Sequence, residues 1–163
     1  MNPIFVWSAL VISSLIIQTT LLVDLFINGL KPDLLLIIVV LTSIILGKHH
    51  GVTIGFFSGL LEDLASGTFF GLNTLVKMLI GFIFGSIEQQ VFKEHKLLPL
   101  IAMSIATVLN YLLSLLLLFF LGANINFNMT LLYSFLMVLT YNVVIALFIH
   151  KLLYKLCLVL KKK

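Results

Sequence analysis

The sequence has no arginine, one cysteine and one tryptophan, and only 10% of its 163 residues are charged. Soluble domains carry about 25% charged residues. There is too little polar surface here to face water on all sides, so the surrounding solvent must be mostly lipid. The lone Cys157 cannot close an internal disulfide and leaves the redox compartment undetermined. Its plainest role is a small apolar filler near a helix end. No long polar stretch leaves room for a second, soluble domain, and the length fits one domain spanning residues 1–163. Residues 1–27 hold no lysine, so the basic head of a signal peptide is missing. The apolar run from Ile4 to Val23 reads as a spanning helix rather than a removable leader.

Catalytic signatures are also missing. There is no G-x-S-x-G, no H-E-x-x-H, and no phosphate-binding loop closed by Lys-Ser/Thr. Asp24 and Asp33, nine residues apart at a helix boundary, are too weak a pair for an intramembrane aspartic dyad. The four histidines, His49, His50, His95 and His150, fall near one interface, and the adjacent pair diverges. That spacing does not suit a metal site. The expectation is therefore a non-enzyme with no cofactor, no metal and no nucleic-acid partner.

What is present is apolar. Hydrophobic residues make up 61% of the chain, and the mean hydropathy is +1.24. Spanning a hydrocarbon core takes roughly 20 helical residues. Six segments compete for that role, at about 4–27, 33–47, 51–67, 70–91, 97–121 and 129–158. The expected fold is an all-α integral membrane bundle of about six transmembrane helices in contact with membrane lipids. The second and third segments are short and are interrupted by Lys48-His49-His50 between Gly47 and Gly51. Either they form a short hairpin sheltered by the others, or the bilayer thins locally. Four spans plus a re-entrant hairpin over residues 33–67 is the alternative.

Lysine placement sets the orientation. With six spans and a cytoplasmic N-terminus, the cytoplasmic side receives Lys48, Lys93, Lys96, Lys151, Lys155 and Lys161 to Lys163. The outer side receives only Lys31 at its rim, and Lys77 lies within a helix. Cytoplasmic loops are the lysine-rich ones, so both termini are placed inside.

Gly47, Gly51, Gly55 and Gly59 recur every fourth residue, and the same spacing reaches Asp63 and Gly67. Residues four apart share a helix face, so this is a ridge of small residues ending in a carboxylate. The next helix has a matching series, Asn73, Lys77, Gly81 and Gly85. Folding the two antiparallel about Thr68 is expected to set Gly51 against Gly85, Gly55 against Gly81, Gly59 against Lys77 and Asp63 against Asn73. Without side chains the backbones can approach closely. Charges in a membrane are usually paired, and Lys77 is long enough to bend along Gly59 to Asp63 or Glu62. Of these two adjacent acids only Asp63 continues the ridge, so Asp63 and Lys77 are the expected intramembrane pair. Glu62, Asn73 and Asp33 are possible partner contacts. The acids cluster toward the two faces and leave the middle empty, which argues against a proton pathway.

The fifth segment lines up Ser104, Thr107, Asn110, Tyr111 and Ser114, and the sixth has Tyr133, Ser134, Thr140, Tyr141 and Asn142. They fit a ligand cavity or partner face, or else hydrogen-bonding glue between helices; glue is the plainer reading.

Three stretches carry a family likeness. They are Leu15-Ile16-Ile17-Gln18-Thr19-Thr20-Leu21, Lys31-Pro32-Asp33-Leu34-Leu35-Leu36-Ile37, and Gly51 through Asp63 followed by Ser66-Gly67-Thr68-Phe69-Phe70-Gly71-Leu72-Asn73. In these, and in length and basic C-terminus, the chain resembles MreD, the small multi-pass rod-shape-determining membrane protein of bacteria. The motifs cover about residues 15–85. The resemblance implies a non-enzymatic member of the cell-elongation machinery in the cytoplasmic membrane. It implies association with the single-pass protein MreC and, through it, with the cytoskeletal MreB and peptidoglycan synthases. It also implies a fold similar to the substrate-binding subunits of energy-coupling-factor vitamin transporters, which supplies a rival function. Such a subunit needs a deep outer pocket, longer outer loops and a small-residue face on its first helix. Here the outer loops are short and the small ridge lies on the third helix, which favours the scaffold.

Overall fold

A computed structural model describes residues 3–21, 30–67, 69–87, 98–123 and 128–161. The side chains of Pro3, Ile4, Leu21, Leu98 and residues 157–161, Cys157 among them, fall outside that description, as do Asp24, Glu88, Glu94, Lys93, Lys96 and His95. Among the described residues there are six α-helices and no strand. They are α1 (Pro3–Ile16, continued by a π-helical turn Ile17–Leu21), α2 (Leu34–Leu46), α3 (Lys48–Ser66), α4 (Leu72–Gly85), α5 (Leu98–Phe120) and α6 (Met129–Lys161).

Helix α2 is the axis of the bundle. Every residue from Leu34 to Ile44 is buried, and α2 packs against all five other helices. A helix that is apolar all round has no face to give to solvent and is enclosed. The short second segment is thus sheltered by its neighbours. Asp33 starts it by accepting the Leu36 N–H at 2.8 Å, which satisfies one of the free donors of the first turn. Gly47 ends it at φ 88° and is at once the residue before α3. That positive φ is open to glycine at little steric cost, and it lets the chain reverse over a single residue. Lys48, His49 and His50 form the first turn of α3 rather than a break between spans.

The glycine ridge lies between α3 and α4, one turn away from the expected register. A Cβ at Gly51 would land on the Gly81 carbonyl and the Ser43 side chain, one at Gly55 on the Lys77 carbonyl, and one at Gly59 on the backbone of Asn73 and Thr74. A Cβ at Gly85 would meet the backbone of Lys48. Gly51 therefore faces Gly81, Gly55 faces Lys77 and Gly59 faces Asn73. The reversal at Gly67 and Gly71, both at positive φ, is tighter than the ridge spacing alone implies. Gly51 is also where α2, α3 and α4 meet.

Helices α5 and α6 form an apolar hairpin. Pro99–Phe120 and Met129–Leu156 are long and apolar enough to cross a membrane. The other apolar helices, within Phe5–Thr20, Leu34–Leu46 and Leu72–Gly85, are shorter. Large apolar side chains cover the outside, among them Phe5, Phe57, Phe82, Leu112, Phe119 and Phe148, while Gln18, Asp63, Lys77 and Asn142 are buried. An apolar exterior with polar and charged side chains withdrawn into the interior is the arrangement that lipid favours and water does not.

Candidate functional site

Lys77 is fully buried on α4. A helical side chain leans toward its own N-terminus, and here that carries the amine past Gly59 to the end of the bundle where α2 begins. There its Nζ lies 2.8 Å from Asp33 Oδ2 and 2.5 Å from Glu62 Oε2. The partners of Lys77 are therefore Asp33 and Glu62, and the expected Asp63–Lys77 pair does not form. The one-turn shift in register is the reason: it puts Asp63 beside the start of α4 instead of beside the amine.

Asp63 caps α4. One carboxylate oxygen accepts the Gly71 N–H at 3.0 Å, the Thr74 N–H at 3.0 Å and the Thr74 hydroxyl at 2.6 Å. The other accepts the Asn73 N–H at 2.9 Å. The opening N–H groups of a helix lack partners within it and carry the positive end of its dipole, so a buried carboxylate is well placed there. Asn73 thus meets Asp63 through its backbone.

The network extends to every helix. Gln18, in the π-helical turn that prolongs α1, is 4% exposed. Its amide donates to Glu62 Oε1 at 3.3 Å, and its oxygen accepts the Leu34 N–H at 2.9 Å. On the opposite side, Asn142 of α6 accepts the Asp33 N–H at 2.8 Å and donates to the Thr107 hydroxyl of α5 at 3.2 Å. Gln18, Asp33, Glu62, Lys77, Thr107 and Asn142 thus form one polar knot with a contribution from each helix, buried except at the two half-buried acids. Asp33 and Asp63 both sit at helix N-termini, where negative charge is stabilised, and Glu62 balances Lys77. Each oxygen of Asp33 and Glu62 already faces a donor or the amine. Such an arrangement holds helices in register.

The remaining polar residues divide. Tyr111 donates to the Leu131 carbonyl at 3.2 Å and its ring packs on Phe135, centroids 4.8 Å apart. Ser104, Ser134 and Thr140 bond within their own helices. His150 lies 2.9 Å from the Leu147 carbonyl. Lys48, His49, His50, Gly85 and Ser86 line an open cavity of about 480 Å³ at the opposite end of the bundle from the knot. The sequence pattern assigns no individual role to Gln18, and places Asn142 only within a polar group that fits a ligand cavity, a partner face or, more plainly, glue between helices. A lone glutamine or asparagine in an apolar helix is the signal that could have singled them out, since each must find a partner there.

A family model described as rod shape-determining protein MreD matches residues 1–159. No curated protein and no solved structure matches the chain.

Proposed function

This chain belongs to the MreD family of rod-shape-determining membrane proteins, and from that premise we propose that it is a non-enzymatic scaffold of the cell-elongation complex. In this reading it is a single multi-pass domain of the bacterial cytoplasmic membrane with both termini cytoplasmic. It binds MreC and so links MreB and the peptidoglycan synthases. The observation that supports this most is the knot. The three stretches that carry the family likeness supply Gln18, Asp33 and Glu62, and all three converge, directly or through one carboxylate, on the amine of Lys77. Those motif residues are spent on fixing helices against one another, which suits a rigid platform. Gly51, Gly55, Gly59, Gly81 and Gly85 serve the same end by letting α3 and α4 pack at backbone distance.

Purification of the tagged protein from its native membrane in mild detergent, with mass spectrometry of what co-elutes, tests the reading. MreC and peptidoglycan synthases are the expected partners. Co-elution of a pair of ATPases, with a vitamin in the bound fraction, would replace the scaffold with a transporter subunit.

A further inference from the structure

Two parts of the molecule are each held internally by close contacts. Helices α3 and α4 are joined by the glycine contacts and the Asp63 cap, and tied to α1 and α2 by the ion pairs of Lys77 and the amide of Gln18. The α5–α6 hairpin is closed near its tip by Tyr111, through the Leu131 carbonyl and the Phe135 ring. Where the hairpin meets the body, the buried apolar residues are Ala102, Met103 and Ala106 on α5, and Ala146 and Leu153 on α6, all but Leu153 small or unbranched. Beyond Thr107 toward the tip of α5, and before Asn142 on α6, no described residue is buried. Leu109, Leu113 and Leu117 rest on the core from one side only. From Thr107 to Phe120, and from Met129 to Asn142, each arm runs roughly 20 Å past the knot.

Asn142 lies at the base of these arms and is fully buried. One side of its amide holds the body, through the Asp33 N–H, and the other holds α5, through the Thr107 hydroxyl. Asp33 in turn binds Lys77. We infer that Asn142 is a pivot: its amide sets the angle of the α5–α6 hairpin against the ion-paired body, and without it the hairpin swings as a unit. The apolar contacts at the base hold the two parts together without fixing that angle, because such contacts are non-directional. The two hydrogen bonds are directional. The knot and the hairpin tip are then mechanically linked, and anything that disturbs Asp33 reorients a surface some 20 Å away.

Distances between spin labels test this in nanodiscs, with Cys157→Ser as background. One label pair sits within the body, at Thr53 and Leu79. A second sits within the hairpin, at Leu116 and Leu132. The third bridges the two, at Leu64 and Leu136. Asn142→Leu keeps the branched shape of the side chain and removes both hydrogen bonds. It should at least double the width of the bridging distance distribution and leave the other two unchanged. Thr107→Val, a gentler variant that keeps the Asp33 contact, should widen the same distribution by less. Should Asn142→Leu fail to fold, Thr107→Val carries the test alone. Three unchanged distributions would overturn the pivot, and so would three that broaden together, since that is general loosening.

Discussion

The amine of Lys77 and the carboxylate of Asp33 lie 2.8 Å apart across 44 residues of chain, and they join the middle of α4 to the first turn of α2. Two carboxylates share that amine. Removing the amine leaves both half-buried acids unbalanced, whereas removing one acid leaves the other still paired. Breaking a buried pair costs about 3–5 kcal/mol. Lys77→Met should therefore lower thermal stability in detergent more than Asp33→Asn or Glu62→Gln does. Equal losses from all three would mean that the charges are separately solvated.

Double-mutant cycles separate the two neighbouring acids. Glu62 touches the amine at 2.5 Å, and Asp63 binds the opening turn of α4. Coupling of Lys77 to Glu62 should reach about 1 kcal/mol, the usual scale for polar pairs in membranes. Coupling of Lys77 to Asp63 should be smaller. The opposite order would restore Asp63 as the partner of the lysine. Asp63→Ala alone should cost about 0.5–2 kcal/mol as the loss of a helix cap, and Asp63→Asn less, since an amide oxygen still accepts.

The glycines divide by what surrounds them. A Cβ at Gly55 or Gly59 lands on the backbone of α4, and one at Gly67 meets nothing within 4 Å. Gly55→Ala and Gly59→Ala should each cost about 1–3 kcal/mol by forcing backbones apart, and Leu at either site should abolish accumulation. Gly67→Ala bears only the cost of a left-handed conformation at φ 63°, about 1–2 kcal/mol, and should accumulate. Abundance in membranes, compared across the five variants, checks the order. Normal levels of the Leu variants would mean that the ridge faces lipid.

The helices were legible in the sequence because lipid leaves a plain signal: long apolar runs, broken at Gly47, Gly67 and Gly122. The glycine ridge was legible because residues four apart must share a face. Its register was not. It depends on the φ values at Gly67 and Gly71 and on Asp63 reaching three N–H groups of the next helix, and spacing carries no record of turn geometry. One turn of slip was enough to exchange Glu62 for Asp63 as the lysine's neighbour. Asp33 was hidden for a different reason. It lies far from Lys77 in sequence, and only the burial of α2 at the centre of the bundle brings the two together.

The chain's path at Lys48 is the remaining test, and sidedness alone does not provide it. Six spans, and four spans with a re-entrant hairpin over residues 33–67, put every other loop on the same side. A reporter fused after Asn126 should read external in both, and a cytoplasmic reading would reject both. The two differ at the turn between α2 and α3. With six spans that turn reaches the cytoplasmic face, where lysine is favoured. In a re-entrant hairpin Lys48, His49 and His50 would stop within the bilayer, where an unpaired charge is costly. All three are exposed on the surface of the bundle, and among the described residues that line the cavity beside them Ser86 is the other polar side chain. His49→Cys, in a Cys157→Ser background, should therefore react with a membrane-impermeant maleimide in inverted vesicles and stay unreactive in intact spheroplasts. Protection in both preparations would place the turn inside the membrane and reduce α2 and α3 to a re-entrant hairpin. Labelling from the outer side would reverse the orientation of the whole bundle.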